Sequence, residues 1–308
     1  MRTTEPEEKS PAETGGTPEA ADLATRARIL AEALPYLRTF RGALVVVKYG
    51  GAAMVDEDLA LSWAQDVVLL EHVGLKPLVV HGGGPMLTAT MRRMGLQATF
   101  VDGHRVTDAA TAVVAEMVLS GRINKQVVAR LQRAGGRAVG LSGTDAGMLE
   151  VVRHRPDGRD IGFVGRVQAV DTQPLTLLLD SEYVPVLSST AVDRDGQPHN
   201  INADLVAGAV AAAMGAAKLV FLSDVPGVLA GGKLCRQLDR ARALELLANG
   251  EASGGMRPKL EAGLAAIDAG VPQVHLVDGR QSHALLLEIL TDRGVGTLLT
   301  AGDDGDRP

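Results

Sequence analysis

The chain contains a single cysteine, Cys235, in 308 residues. One thiol excludes an internal disulfide, and no Cys/His spacing around it suits zinc. Its simplest reading is an inert thiol in a reducing, cytoplasmic setting. Aromatic residues make up 3% of the chain and the net charge is -6. The stacking rings and basic patch of a nucleic-acid binder are therefore missing. No apolar run approaches the ~20 residues needed to cross a bilayer, so no membrane partner is expected. Residues 1–20 are rich in Glu, Pro, Thr and Gly and lack the apolar centre of a signal peptide. They read as a disordered tail, as do residues 301–308.

What the chain has is aliphatic bulk. Hydrophobic residues reach 46%, mostly Val, Leu, Ala and Ile, a composition suited to parallel strands buried on both faces. Its length allows one large α/β domain or two lobes. Apolar runs ending in glycine or small polar turns recur at 43–51, 76–84, 138–143, 183–189, 218–224 and 273–279. Helical spacing fills 57–73, 86–94, 108–134, 203–214, 239–248, 259–269 and 282–291. This alternation predicts a mainly parallel sheet with helices on both faces. Residues 149–170 alternate without a helix around Pro156-Asp157-Gly158 and predict a β-hairpin. Residues 22–40 have helical spacing, and Pro35 is expected to kink or break that helix. It reads either as a helix packed on its own domain or as an arm that docks on another subunit.

Ligands in open α/β sheets sit beyond the carboxyl ends of the strands, and the polar motifs of this chain gather there. Lys48-Tyr49-Gly50-Gly51 ends a Val-rich strand. A lysine there is costly unless paired or at a ligand, and the glycines let backbone N–H groups approach an anion. The plainer alternative is an edge-strand lysine reaching solvent. His81-Gly82-Gly83-Gly84-Pro85 follows a second strand and suits an oxyanion or phosphate; a tight turn is the alternative. Leu87 breaks the dinucleotide fingerprint, and no P-loop pattern occurs. Arg105 precedes a helix capped by Thr107 or Asp108 and suits bidentate carboxylate binding, although a surface salt bridge explains it as well. Asn200, Asn202 and Asp204 crowd one helix start, more than a cap requires. Gly254-Gly255-Met256-Arg257-Pro258-Lys259 runs into a helix, and a cation there asks for an anion.

Taken in order, these motifs, with Glu116–Gly121 and Leu222–Val228, resemble the amino acid kinase family over about residues 26–300. Within it they look like the acetylglutamate kinase branch. The resemblance implies an open αβα sandwich. It implies phosphorylation of the γ-carboxylate of N-acetyl-L-glutamate by ATP with Mg2+, in arginine biosynthesis. It divides the chain into a helical arm (21–41), an acyl-substrate lobe that also dimerises (42–215) and an ATP lobe (216–300). Carried over, Lys48 and Lys259 stabilise the transferring phosphoryl group and Asp204 orients both. Gly50, Gly51, Gly82 and Gly83 offer N–H groups to phosphates and substrate. Arg105 and Asn200 hold the acyl substrate, and Asp224, Gly255 and Met256 lie at the nucleotide. Residues 26–41 are similar to the N-terminal helix of the arginine-inhibited branch, which forms homohexamers, trimers of dimers. That likeness implies an arginine site with His275, Glu288, Gly294 and Gly296, and with Tyr36 and Lys233 as weaker members.

Four residues depart from the family pattern: Ala52, Met86, His104 and Thr144. None carries a role in phosphoryl transfer, but His104 and Met86 are placed to line a substrate pocket. The alternatives are a kinase for a related acyl substrate such as N-acetyl-2-aminoadipate, and an arginine-binding regulator without catalysis.

Overall fold

A computed structural model describes residues 18–101, 103–252, 255–291 and 294–302. The tail expected at 1–20 lies outside these residues as far as 17, the one at 301–308 from 303 on, and Gly254 lies outside them too. The first helix, α1 (Pro18–Thr39), begins inside the stretch read as tail and continues through Pro35. The helix is not broken at Pro35. Proline removes one backbone donor and crowds the preceding turn. The turn after it is held by tertiary contact: the Phe40 ring lies 4.5 Å from Lys218 Nζ.

All six predicted apolar runs become strands of one eight-stranded sheet: β1 (Leu44–Tyr49), β2 (Lys76–His81), β3 (Ala138–Leu141), β4 (Val184–Ser188), β5 (Lys218–Ser223) and β7 (Val274–Asp278). Two edge strands, β6 (Gln237–Asp239) and β8 (Thr297–Thr300), are additional. The order is β6-β8-β7-β5-β1-β2-β4-β3. Every pair is parallel except β7 with β8. The chain adds strands on one side of β1 and then crosses to the other. The crevice between β1 and β5 is thus a topological switch point, where this class of sheet binds ligands.

Alternation along β1 sorts the two faces. Val45, Val47 and Tyr49 join a core with the helices Glu57–His72, Asn124–Arg133 and Ala284–Ile289. Val46 joins a second core with Ala203–Ala213 and Met256–Asp268. The result is the predicted three-layer α/β arrangement. The expected hairpin forms from Leu149–Arg153 and Val164–Val170 and lies in a separate four-stranded sheet. The helix expected over 108–134 forms, but residues Met117–Ile123 take the wider π form.

Candidate active site

Because even-numbered side chains of β1 face the helix Ala203–Ala213, Lys48 emerges beside that helix. Its Nζ lies 2.8 Å from Oδ1 of Asp204, in the first helical turn. Lys259, in the first turn of Met256–Asp268, brings Nζ to 3.3 Å from Oδ2 of the same carboxylate. The anion that a cation at a helix start requires is therefore Asp204. Each carboxylate oxygen thus faces one ammonium group, and Asp204 and Lys48 are buried. Burial alone would raise the Asp204 pKa; the two ammonium groups outweigh it and hold the carboxyl below its usual range.

The turn after β1 is fixed from below and shaped by its glycines. Tyr49 is fully buried, stacks on Trp63 with centroids 3.7 Å apart, and donates its hydroxyl to the Ala53 carbonyl at 2.6 Å. Gly51 has φ +71, and a Cβ there would lie 2.2 Å from Oδ1 of Asp224. Glycine is thus required for conformation and for clearance, and the β1 turn touches the carboxylate that follows β5.

The turn after β2 divides its labour. The Gly82 N–H donates to the Tyr49 carbonyl at 3.0 Å, so it serves the sheet edge rather than a ligand. A Cβ at Gly83 would sit 2.3 Å from Cδ1 of Ile123, in the π stretch. The helix Gly84–Arg93 then begins, with Pro85 in its first turn and unpaired N–H groups at its start. Such a terminus favours an anion.

Lys48, Gly50, Gly51, Gly82 and Gly83 line a cavity of about 210 Å3 together with His104, Arg105 and Asn200. Arg105 is buried, and its guanidinium donates to the Gly84 carbonyl (3.2 Å), Thr88 Oγ1 (2.8 Å) and Met91 Sδ (3.4 Å). All are neutral, and burial lowers its pKa. A buried cation with neutral partners among the described residues is poised for a carboxylate. The surface salt bridge that the sequence left open is not among its contacts. Asn202 is the cap, accepting from the Asp204 N–H at 2.8 Å, which leaves the Asn200 side chain for the cavity.

Other expected residues lie elsewhere. Asp224, Gly255 and Met256 are outside this cavity: Asp224 abuts Gly51, Gly255 caps the Lys259 helix and Met256 is buried in the core beneath it. Met86 packs against the Val45–Val47 core instead of lining the pocket. His104 does line it, tilted against His154 with ring centroids 4.8 Å apart. Thr144 precedes a short turn at Asp145–Gly147, and the backbone of Ala52 lies in the turn Gly51–Met54.

A larger cavity, about 710 Å3, lies away from the lysine pair and brings Tyr36 together with His275, Glu288 and Gly294. His275 Nδ1 is 2.7 Å from Glu288 Oε1, and Oε2 accepts from the Val295 and Gly296 N–H groups. Burial would raise the Glu288 pKa, but His275 and the two N–H groups hold it below the usual range. Lys233 belongs to the exposed hairpin at Leu229–Ala230 and Lys233–Leu234 and does not line this space. The lysine that does is Lys218, which bonds to Gln273 and lies 3.4 Å from His275 Nε2.

Residues 43–278 match the profile of the Amino acid kinase family. The chain is 51% identical over 284 residues to an acetylglutamate kinase of Symbiobacterium thermophilum, covering 89% of this chain and 97% of that protein. It is 48% identical over 297 residues to an acetylglutamate kinase of Parvibaculum lavamentivorans, covering 92% and 97%. Among solved structures it is similar to an N-acetylglutamate synthase of Neisseria gonorrhoeae complexed with coenzyme A and N-acetyl-glutamate, with TM-score 0.80 and 26% identity. That match covers 89% of this chain and 63% of the longer one. A second structure of the synthase, with coenzyme A and L-arginine, matches at TM-score 0.76 and 25% identity, covering 90% and 65%.

Proposed function

The chain belongs to the amino acid kinase family, and from that premise we propose that it phosphorylates the γ-carboxylate of N-acetyl-L-glutamate with ATP, giving N-acetyl-L-glutamyl 5-phosphate in arginine biosynthesis. The observation that carries the reading is the convergence of Lys48 and Lys259 on Asp204 beside a cavity holding Arg105.

The chemistry needs little more. A carboxylate is ionised at neutral pH and requires no general base. One of its oxygens bonds to the γ-phosphorus while the bond to the β–γ bridging oxygen breaks and ADP leaves. The barrier is repulsion between two anions and charge on the phosphoryl oxygens. Lys48 and Lys259 stabilise that charge, one from each half of the chain, and Asp204 aims both. Gly50, Gly51 and Gly83 let backbone N–H groups close on the phosphates. Arg105 and Asn200 hold the acyl amino acid, within an acyl-substrate half (42–215). Asp224, Gly255 and Met256 border ATP, within a nucleotide half (216–300). Each donor of this kind typically lowers the barrier by about 3 kcal/mol.

Among the described residues no three His, Cys, Asp or Glu side chains gather to cage a metal. In this reading Mg2+ enters on the ATP phosphates, and Asp224, against the Gly51 turn, is a carboxylate that would face it. Bound there, the ion neutralises phosphate charge.

The reading extends to feedback by L-arginine in the larger cavity, where Glu288 offers a carboxylate to a cationic amino acid and Tyr36 links the site to α1. It includes a homohexamer joined through α1 and a cytoplasmic setting. The test is ATP-dependent trapping of the acyl phosphate as its hydroxamate. Turnover well above that of a Lys259→Ala control is expected; turnover no greater than that control would overturn the reading.

A further inference from the structure

The turn after β2 poses a problem that the kinase reading leaves open. A Cβ at position 83 would press on the side-chain ends of Ile123 (2.3 Å) and Leu119 (2.9 Å), so a side chain there requires both to shift. The chain therefore places consecutive glycines where a fixed N–H is wanted. Glycine has no Cβ to resist rotation, so a peptide plane between two glycines turns over at little cost unless something holds it.

His81 is the group that holds it. Its side chain is fully buried, and Nδ1 lies 2.8 Å from the Gly82 carbonyl oxygen. On its other side, Nε2 lies 3.1 Å from Nδ2 of Asn124. The Asn124 amide is oriented by its remaining partners. Nδ2 faces the carbonyls of Val186 (2.8 Å) and Leu141 (3.2 Å), while Oδ1 accepts from Lys125 Nζ at 3.1 Å. The Gly82 carbonyl can only accept, so the proton of the neutral ring lies on Nδ1 and is donated to it. This leaves Nε2 the acceptor facing the Asn124 amide, whose two hydrogens are shared among Nε2 and the two carbonyls. In a trans peptide the C=O of one residue and the N–H of the next point in opposite directions. Fixing the Gly82 carbonyl toward the buried ring fixes the Gly83 N–H away from it.

We propose that His81, aligned by Asn124, is a positioning residue for phosphoryl transfer: it locks the Gly82–Gly83 peptide so that the Gly83 N–H faces the cavity and meets the anionic reacting groups. The proposal rests on the kinase reading above. Asn124 stands directly after the π stretch, so the same local widening that presses Ile123 onto Gly83 also sets the amide that aligns the ring.

Two substitutions separate this role from a structural one. An asparagine side chain places its amide nitrogen where histidine has Nδ1, whereas glutamine reaches the Nε2 position. His81→Asn thus keeps the donor to the Gly82 carbonyl and gives up the Asn124 contact; His81→Gln does the reverse. With N-acetylglutamate and ATP, His81→Asn is expected to hold kcat within about fivefold of the wild type. His81→Gln is expected to lower kcat by about 100-fold, the usual effect of losing one such donor, with KM for both substrates little changed. Thermal midpoints of the two variants, measured alongside, are expected to fall together. Equal kcat losses in both variants, or a His81→Gln enzyme no slower than His81→Asn, would overturn the proposal. An inactive wild type in the same assay would fault the substrate reading instead.

Discussion

Lys259 Nζ lies 3.3 Å from Asp204 Oδ2, although the two residues are 55 positions apart and start different helices. With Lys48 on the other oxygen, the carboxylate spaces two ammonium groups across the β1–β5 crevice. Lys48→Ala and Lys259→Ala should each lower kcat about 100- to 1000-fold. Because both act through Asp204, the double variant should lose less than the product of the two. Steady-state kinetics of the three variants check this, and fully multiplicative losses would argue for independent roles.

Arg105 makes its contacts to neutral groups, and the proposed role of its charge is to hold the substrate carboxylate. Arg105→Lys retains the charge and loses the planar fork. It should raise KM for N-acetylglutamate roughly tenfold or more, the worth of one charged hydrogen bond, and leave KM for ATP nearly unchanged. Measuring both constants on the same preparation separates the two sites.

Burial pushes the His81 pKa down from 6.5 to about 4. Between those values the unfolded chain binds more protons than the folded one. The stability from keeping the ring neutral is therefore complete above pH 6.5 and is lost as pH falls toward 4. Its full extent is about 3 kcal/mol. His81→Asn removes the group, so its stability should fall less steeply than the wild type's across that interval. Urea unfolding at several pH values reads the difference.

How much of this was legible depended on whether a residue's partner lay nearby in sequence. Lys48, the glycine turns and the six apolar runs announce themselves locally, and the ordered motifs connect Lys48 with Lys259. Asn124 gives no local signal, because its partners are carbonyls of β3 and β4 and the ring at the end of β2. The short edge strands β6 and β8 and the helix Gln173–Asp180 fell below the length at which periodicity speaks. Pro35 argued for a break that tertiary contact overrides. Lys218, rather than Lys233, lines the larger cavity, and the rule that singles out Lys48, a lysine within an apolar strand, applies equally to Lys218 in β5.

Glu288 lies in the second cavity and touches nothing assigned to phosphoryl transfer. Glu288→Gln should raise the arginine concentration for half-inhibition by more than tenfold while leaving uninhibited turnover unchanged. Inhibition curves for both proteins test it, and an unaltered curve would place arginine elsewhere.

The central claim is that the Lys48–Asp204–Lys259 centre serves the γ-carboxylate of N-acetylglutamate. Comparing kcat/KM for N-acetyl-L-glutamate and N-acetyl-2-aminoadipate, both followed as the hydroxamate, tests it most directly. One methylene in a fitted pocket is worth about 1–3 kcal/mol, so N-acetylglutamate should be preferred by roughly tenfold or more. A preference for the aminoadipate, or turnover of neither, would contradict the account.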